Sequence, residues 1–404
     1  MADIEAEPQR GPSGSGPRDG LPLPDQVVLL LQGGGALGSY QAGVFEAIND
    51  HAIPLTCIAG ISIGAVNAAL IAGNPPEKRI EALRTFWEMV SGGMPAFILP
   101  DENRLREGAH LAAAATVASF GVPGFFVPHW TMPNWAPAGS EAAISYYDSA
   151  PLAKTLNELV DWDLLNDGPM RVAVGAVDIE TGNFQYFDTR SAINPTRIDA
   201  RHIMASGALP PGLPPVEIDG RHYWDGGLVS NTPLGYILDT QGEGDTLIFQ
   251  IDLFPARGKL PRRMTDVWSR EKDIRFSSRT RSVTDQYLRL RKDHEAMRTL
   301  IDRLPSDMRD EPEIKALRER VAESAVNVVQ LVYRTRAWET GAKDFEFSRS
   351  TMLDHWHQGN EALCRTIDEG DILARNIADG KTAAFDVAVD ANGNGNGNGN
   401  GAAE

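Results

Sequence analysis

Gly60-Ile61-Ser62-Ile63-Gly64 lies between two apolar stretches, residues 55–59 and 62–72. The first stretch is short enough for a buried strand, and the second has helical spacing and ends at Gly73. The pattern predicts a strand, a sharp turn that presents the Ser62 hydroxyl, and a helix. Ser62 is therefore a candidate nucleophile, although a serine between glycines can also be an ordinary helix cap.

A glycine run, Gly33-Gly34-Gly35-Ala36-Leu37-Gly38, begins about 30 residues before Ser62 and follows another apolar stretch, residues 27–32. Its backbone amides lie at the N-terminus of a helix predicted over residues 37–49. The N-terminus of a helix stabilises negative charge. The glycine spacing also fits a dinucleotide-binding loop. That interpretation requires an acidic residue at the end of the second strand, where this chain has the serine turn, so NAD and FAD are disfavoured.

Strand and helix patterns alternate along the first part of the chain. The predicted strands are residues 27–32, 55–59, 171–178, 183–188 and 246–253, and the predicted helices are 37–49, 62–72, 77–90 and 196–206. This alternation predicts an α/β domain with parallel strands over residues 26–255. Beyond it, two helical stripes over residues 281–304 and 314–331, with a shorter helix over 351–367, predict a helical hairpin extension spanning 256–385.

The bulk composition excludes several classes of protein. The 404 residues carry a net charge of −17, which argues against a general nucleic-acid binder. Two distant cysteines, Cys57 and Cys364, indicate neither a disulfide framework nor a cysteine-based metal site. Residues 1–25 and the Asn/Gly-rich residues 386–404 have little to bury, and we expect both to be disordered. No secretory leader or membrane span is recognised, so a cytoplasmic protein is expected.

A serine nucleophile needs a base, and the chain offers an aspartate more readily than a histidine. Asp225 stands in Trp224-Asp225-Gly226-Gly227, where the glycines would let the backbone approach a site closely, although such a sequence alone can be a plain turn. Among the histidines after Ser62, none follows an obvious strand; they are His110, His129, His202, His222, His294, His355 and His357.

With Ala205-Ser206-Gly207-Ala208-Leu209-Pro210 added, the motifs resemble those of the patatin-like phospholipases, a family of lipid acyl hydrolases, over about residues 25–255. The resemblance implies a three-layer α/β fold with a mainly parallel central sheet, here with the C-terminal helical hairpin extension. It implies a Ser62–Asp225 dyad without histidine, in which Asp225 is the base. An oxyanion hole is implied at Gly33, Gly34 and Gly35, and the supporting glycines are Gly38, Gly60, Gly64, Gly226 and Gly227. No metal or cofactor is expected.

One position departs from the family pattern. Members usually carry Arg or Lys between the last two glycines of the first motif, where this chain has Leu37. A cation there could hold a lipid phosphate, so its absence makes neutral acyl esters more plausible substrates. A catalytically silent lipid-binding or scaffold protein on the same fold, and an acyltransferase that uses the same dyad, remain alternatives.

Two segments are candidates for contact with partners. Residues 108–140 contain no Asp, Glu, Lys or Arg but several aromatic residues, which is typical of a lid, an acyl-chain entrance or a buried connector. Within this segment, residues 112–118 are predicted to form a short helix, and the prolines after them exclude a long one. Residues 256–298 carry 13 Lys or Arg against 6 Asp or Glu, a pattern of a solvated helical face or of peripheral contact with anionic lipid. The apolar stripes of the hairpin could also bury against a second copy of the chain.

Overall fold

The computed structural model describes residues 21–93, 103–240, 242, 244–321, 324–336 and 338–386. The disorder predicted for residues 1–25 and 386–404 falls almost wholly outside these ranges. None of the described helices is both long and apolar enough to cross a membrane.

The strands and helices follow each other in the alternating order that the sequence predicts. The strands are β1 (Gln26–Leu31), β2 (Cys57–Ile61), β3 (Val127–Pro128), β4 (Tyr147–Asp148), β5 (Arg171–Asp178), β6 (Phe184–Asp188), β7 (Val216–Ile218), β8 (Arg221–Asp225), β9 (Thr246–Asp252), β10 (Val326–Val332) and β11 (Ala383–Asp386). The helices are α1 (Gly38–Asp50), α2 (Ile63–Ala72), α3 (Arg79–Val90), α4 (Asn103–Phe120), α5 (Glu141–Ile144), α6 (Ala150–Leu159), α7 (Trp162–Asp167), α8 (Ala200–Gly207), α9 (Leu234–Thr240), α10 (Met264–Asp302), α11 (Ser306–Arg309), α12 (Pro312–Val321), α13 (Arg349–Asp368) and α14 (Asp371–Ala378).

A mostly parallel sheet forms the middle layer, in the order β11-β10-β9-β1-β2-β5-β8-β7, with β6 also paired to β5. The strands from β11 to β5 are parallel, and β6, β7 and β8 pair antiparallel. Alternate residues of β1 enter two separate cores: Leu29 and Leu31 pack with α1, α2 and α13, whereas Val28 and Leu30 pack with α9. Helices therefore cover both faces, and the predicted three-layer α/β architecture with a mainly parallel sheet is confirmed.

The region beyond residue 255 is only partly helical. The second helical stripe predicted over residues 314–331 is helical only as far as Val321 and is wrong beyond it: α12 ends at Val321, and β10 then pairs in parallel with β9. The sequence Val326-Asn327-Val328-Val329-Gln330-Leu331-Val332 is rich in β-branched residues, which favour strands, and its apolar positions also matched a helical period by coincidence. The C-terminal region therefore adds two strands to the sheet as well as its helices.

Two predicted helices are longer in the structure. The first arm of the hairpin begins at Met264 and reaches Asp302, and the short helix predicted at 112–118 is part of α4, which spans Asn103–Phe120. Both begin earlier because their N-terminal turns carry polar residues, which hide the apolar period.

Helix α13 from the C-terminal region packs against α1, which follows the glycine run. The two helices touch through glycines: a Cβ atom on Gly359 would overlap the Tyr40 carbonyl oxygen, and one on Gly43 would overlap the Trp356 carbonyl oxygen. The Trp356 indole donates a hydrogen bond to Glu46 on α1, with 2.8 Å between Nε1 and Oε2. The C-terminal region thus supports the helix that begins at the glycine run.

We expect Gly359→Ala to lower the free energy of unfolding by about 1–3 kcal/mol, because the added methyl group must push two helix backbones apart. Gly108→Ala in α4 is the matched control: its methyl group meets no atom within 4 Å. The control should leave stability unchanged or raise it by up to about 1 kcal/mol, because alanine favours a helix. Urea unfolding of both variants measures the difference, and equal stabilities would contradict the close helix contact.

Candidate active site

Ser62 forms the sharp turn between β2 and α2. Its backbone has φ 56° and ψ −123°, a conformation that a residue with a side chain rarely adopts. Gly60 and Gly64 make the turn possible, because a Cβ atom on Gly60 would overlap the Gly64 backbone, and one on Gly64 would overlap the Leu31 carbonyl oxygen. Ser62 is half-buried, whereas its neighbours Ile61 and Ile63 are buried. The turn therefore brings the serine to the edge of the core.

Ser206 on α8 holds the serine turn from the other side. Its Oγ accepts the Ser62 backbone N–H at 2.9 Å and donates to the Gly175 carbonyl oxygen on β5 at 2.7 Å. Ser206 is fully buried. The next residue, Gly207, passes close to Ser62, since a Cβ atom placed on it would lie 3.9 Å from Ser62 Oγ. From the sequence, residues 205–210 were recognised only as a motif of the family. The contacts of Ser206 show that it positions the serine turn, a role that sequence reasoning missed.

The pairing of β5 places Asp225 beside Ser62. On one edge of β5, Gly175 pairs with Ile61 at the end of β2; the opposite edge is occupied by β6. Ala176 pairs with Asp225, so β8 continues along the edge that β2 leaves. Gly226 fits this junction closely, because a Cβ atom on it would come within 2.6 Å of the Gly175 carbonyl oxygen. The predicted nucleophile and base therefore meet where β2 ends and β8 ends.

The Asp225 carboxyl group is buried, with 3% of the residue exposed. Burial raises its pKa to about 6; the Ser62 hydroxyl and the Gly227 amide, which lie beside the carboxyl group, favour the charged form but do not offset the burial. The Gly227 N–H donates to Asp225 Oδ1 at 2.7 Å and fixes the orientation of the carboxylate. Asp225 is thus a carboxylate whose basicity is higher than usual and which lies against the Ser62 hydroxyl.

The three glycines of the predicted oxyanion hole are in different environments. Gly33 is buried, and its N–H donates to the Asn231 carbonyl oxygen at 3.3 Å. Gly34 and Gly35 are half-buried, and their amides donate to no group in the part of the chain that the structure describes. Gly35 has φ +54°, a conformation that favours glycine. Of the three amides, only that of Gly33 is therefore occupied by another group of the described chain.

Asn231 connects the glycine run to the turn after Asp225. Its side-chain Nδ2 donates to the Gly33 carbonyl oxygen at 3.0 Å, and its backbone carbonyl accepts the Gly33 N–H. Its Oδ1 leaves no room for side chains on Gly33 or Gly227, where Cβ atoms would come within 2.5 and 3.0 Å. Sequence reasoning missed this role, and the only signal was the position of Asn231 just after the Asp225-Gly226-Gly227 motif.

Leu37 and Gly38 serve packing. Leu37 is fully buried in the core, so the position at which the family pattern leads us to expect a cation turns inward in this chain. A Cβ atom on Gly38 would come within 2.6 Å of Ile63 and 2.9 Å of the Trp87 ring, which explains the glycine where α1 crosses α2. Neither residue brings a charge to the site.

The histidines find partners away from the dyad. His202 bonds to Asp199 at the start of α8, His355 bonds to Glu339, and His129 bonds to Ser145. None of these bonds involves Ser62 or Asp225. Within the described ranges, no three His, Cys, Asp or Glu side chains are grouped so that they could hold a metal ion.

We expect Asp225→Asn to stabilise the protein at pH 8, because the variant avoids burying a charge. The pKa of the folded carboxyl group, about 6, lies above that of an unfolded aspartate, so the charge penalty is absent below about pH 4 and complete above about pH 6. The stability gain should therefore grow between these pH values to as much as about 3 kcal/mol. The exposed Asp307→Asn is the control. Urea unfolding at pH 4 and pH 8 tests this, and a gain independent of pH would contradict it.

Comparison with known proteins places the Ser62 and Asp225 motifs within the match to one family. A model of the patatin-like phospholipase family matches residues 29–238, and a second model, described as patatin phospholipase, matches residues 274–379. The lysophospholipase nte1 of Aspergillus terreus is 52% identical over 46 residues, which make up 11% of this chain and 3% of that protein. The matched segment is thus a small part of either protein.

Two solved structures are distant neighbours. VipD from Legionella pneumophila is 14% identical with a TM-score of 0.37, and the match covers 85% of this chain and 67% of that one. The ExoU–SpcU complex from Pseudomonas aeruginosa is also 14% identical, with a TM-score of 0.25 and coverage of 88% and 78%. Because the first family model spans about half of the chain and includes Ser62 and Asp225, this chain belongs to the patatin-like phospholipases, a family of lipid ester hydrolases.

Proposed function

We propose that this chain cleaves carboxylic esters of lipids through a Ser62–Asp225 dyad and a covalent acyl-enzyme. The observation that carries the proposal is the buried Asp225 carboxyl group, whose pKa of about 6 suits a base and which lies beside the strained Ser62 turn. A carboxylate with this pKa is charged at pH 7 and is still a better proton acceptor than an ordinary aspartate.

In the first half of the reaction, Asp225 takes the proton from Ser62 Oγ as the oxygen attacks the ester carbonyl carbon. Negative charge then develops on the carbonyl oxygen, and the amides of Gly34 and Gly35 are available to stabilise it. The N-terminus of α1 lies just after these glycines and favours the same charge. Each such donor is worth about 3 kcal/mol of transition-state stabilisation. When the tetrahedral intermediate breaks down, Asp225 returns the proton to the leaving alcohol.

In the second half, water attacks the acyl-enzyme. Asp225 accepts a proton from the water, and the same amides stabilise the second oxyanion. Collapse of this intermediate releases the fatty acid, and the proton held by Asp225 returns to Ser62 Oγ. An alcohol that reacted in place of water would give acyl transfer through the same residues, so hydrolysis is the simplest outcome of an open, half-buried serine.

The substrate class follows from the surroundings of the site. With Leu37 buried, the glycine run offers no cation for a phosphate, so we infer that neutral acyl esters are accepted at least as readily as phospholipids. The uncharged segment 108–140 supports substrates with an acyl chain. Activity of phospholipase A, lysophospholipase or esterase type is consistent with this environment.

Replacing either member of the dyad should remove activity while the fold is retained. We expect Ser62→Ala and Asp225→Asn each to lower kcat/KM for p-nitrophenyl esters by about 10³-fold or more. A fluorophosphonate probe should label the wild type, and Ser62→Ala should not be labelled. The exposed Ser306→Ala is the control and should be labelled like the wild type. Unchanged turnover in Ser62→Ala would refute the proposal, and unchanged turnover in Asp225→Asn would assign the base to another group.

The dyad also predicts the dependence of activity on pH. Because Asp225 must be charged to accept a proton and its pKa is about 6, kcat/KM should rise about tenfold per pH unit below pH 6 and level off above it. Initial rates between pH 4.5 and 8.5 test this, after residual activity at pH 7 has shown that the enzyme survives each buffer. A profile without an ionisation near pH 6 would contradict the assigned role of Asp225.

A further inference from the structure

The predicted lid segment exposes large apolar side chains to solvent. Trp130 and Trp135 have 104% and 85% of their surface exposed, and Phe120 and Met132 have 76% and 73%. Single exposed apolar residues are common, but several within one uncharged segment mark an interaction site. We name these four residues, three of which are aromatic, the aromatic cluster.

Helix α4 continues the apolar surface from the aromatic cluster. One side of the helix is buried, through His110, Ala113, Ala114 and Val117. The solvent-facing positions recur every three or four residues and carry no charge: Leu105, Gly108, Leu111, Ala112, Ala115, Ala118 and Ser119. With 18 residues, the helix is about 27 Å long. Its outer side is therefore an uncharged stripe instead of the polar face usual for a surface helix.

The aromatic cluster is presented by an ordered framework. Phe125 packs against Phe86 of α3, and Phe126 packs against Tyr147. The Tyr147 hydroxyl donates to the Ala118 carbonyl oxygen at 2.8 Å, which ties β4 to the end of α4. The exposed indoles thus extend from a segment whose neighbouring rings are anchored in the core.

The same framework contacts the loop that follows Gly207. The backbone amides of Tyr146 and Tyr147 donate to the Gly212 carbonyl oxygen at 3.2 and 2.9 Å. Gly212 lies a few residues after Gly207, which passes beside Ser62. The segment that carries the aromatic cluster is therefore hydrogen-bonded to the loop that follows Gly207.

Positive charge lies at the other end of α4. Arg263 at the start of α10 pairs with Glu107 of α4 at 3.1 Å. Around it, residues 256–275 carry seven Lys or Arg against three Asp or Glu. Arg257, Lys259 and Arg262 are exposed and form no ion pair with any residue in the described ranges, and exposed apolar side chains stand among them: Leu260, Met264 and Trp268. We name Arg257, Lys259 and Arg262 the basic edge.

We propose that the aromatic cluster and the α4 stripe form a surface that docks on a lipid membrane, with the basic edge against anionic headgroups. The inference rests on the proposed function, since it supplies the route by which a lipid substrate reaches Ser62. Indole rings favour the boundary between headgroups and acyl chains, and clustered Lys and Arg side chains favour anionic lipids. A chain with a net charge of −17 would otherwise be repelled by such a surface.

Vesicle binding tests the inference without catalysis if the full chain carries Ser62→Ala. Cosedimentation is measured with vesicles of phosphatidylcholine alone and with vesicles that also contain phosphatidylglycerol. We expect Trp130→Ala with Trp135→Ala to weaken binding to both by about tenfold or more, because two indoles no longer insert. Glutamine at all three basic-edge positions should weaken binding only to the anionic vesicles. Ile193→Ala, which removes a side chain that is 95% exposed elsewhere, is the control.

A second measurement separates this inference from the proposed function. With Ser62 restored, the surface variants should hydrolyse a short soluble ester as the wild type does but lose activity on lipid in vesicles. Wild-type inactivity on every ester would refute the proposed function alone, because the binding assay does not need catalysis. Wild-type binding by the indole variant would overturn the docking surface. So would a change in its oligomeric state, measured by light scattering without lipid, that accounts for the loss.

Discussion

The structure depends on how one edge of β5 is shared. Strand β2 occupies the edge as far as Gly175 and turns away at Ser62, and β8 takes the next position with Asp225 opposite Ala176. Because pairing in a sheet is fixed by register, the serine and the aspartate are placed by backbone hydrogen bonds and not by their own attraction. Gly60, Gly64 and Gly226 are required at this junction because no side chain fits there.

The same junction makes the site costly to form. The chain must hold Ser62 at a positive φ and bury the Asp225 carboxyl group, and each feature favours unfolding when considered alone. Surrounding contacts offset these costs, since Ser206 binds the Ser62 amide and Gly227 binds the carboxylate. A carboxylate base requires a raised pKa. Burial of Asp225 therefore causes both its share of the lost stability and the basicity that the proposed role needs.

Sequence patterns predicted the parts of the fold that depend on local signals. Buried strands bounded by glycine, such as β1 and β2, were recognisable because their apolar runs are short and sharply ended. The pattern over residues 326–332 misled because its apolar spacing also suits a helix, and only pairing with β9 decides between the two. Asn231 was missed for a related reason: its partner, the Gly33 backbone, lies 198 residues away, and no local pattern reveals such a bond.

The C-terminal region also contacts the glycine run, so the two regions on either side of the predicted domain boundary near residue 255 share contacts at the site. The Asp344 carbonyl oxygen accepts the Ala36 N–H at 2.9 Å and fills the space where Gly35 would need a Cβ atom. Lys272 of α10 holds Asp344 in turn, with 2.7 Å between Nζ and Oδ1. This contact occupies the Ala36 amide, so residues beyond 255 help to fix the backbone of the glycine run. The proposed oxyanion hole is therefore built by both halves of the chain.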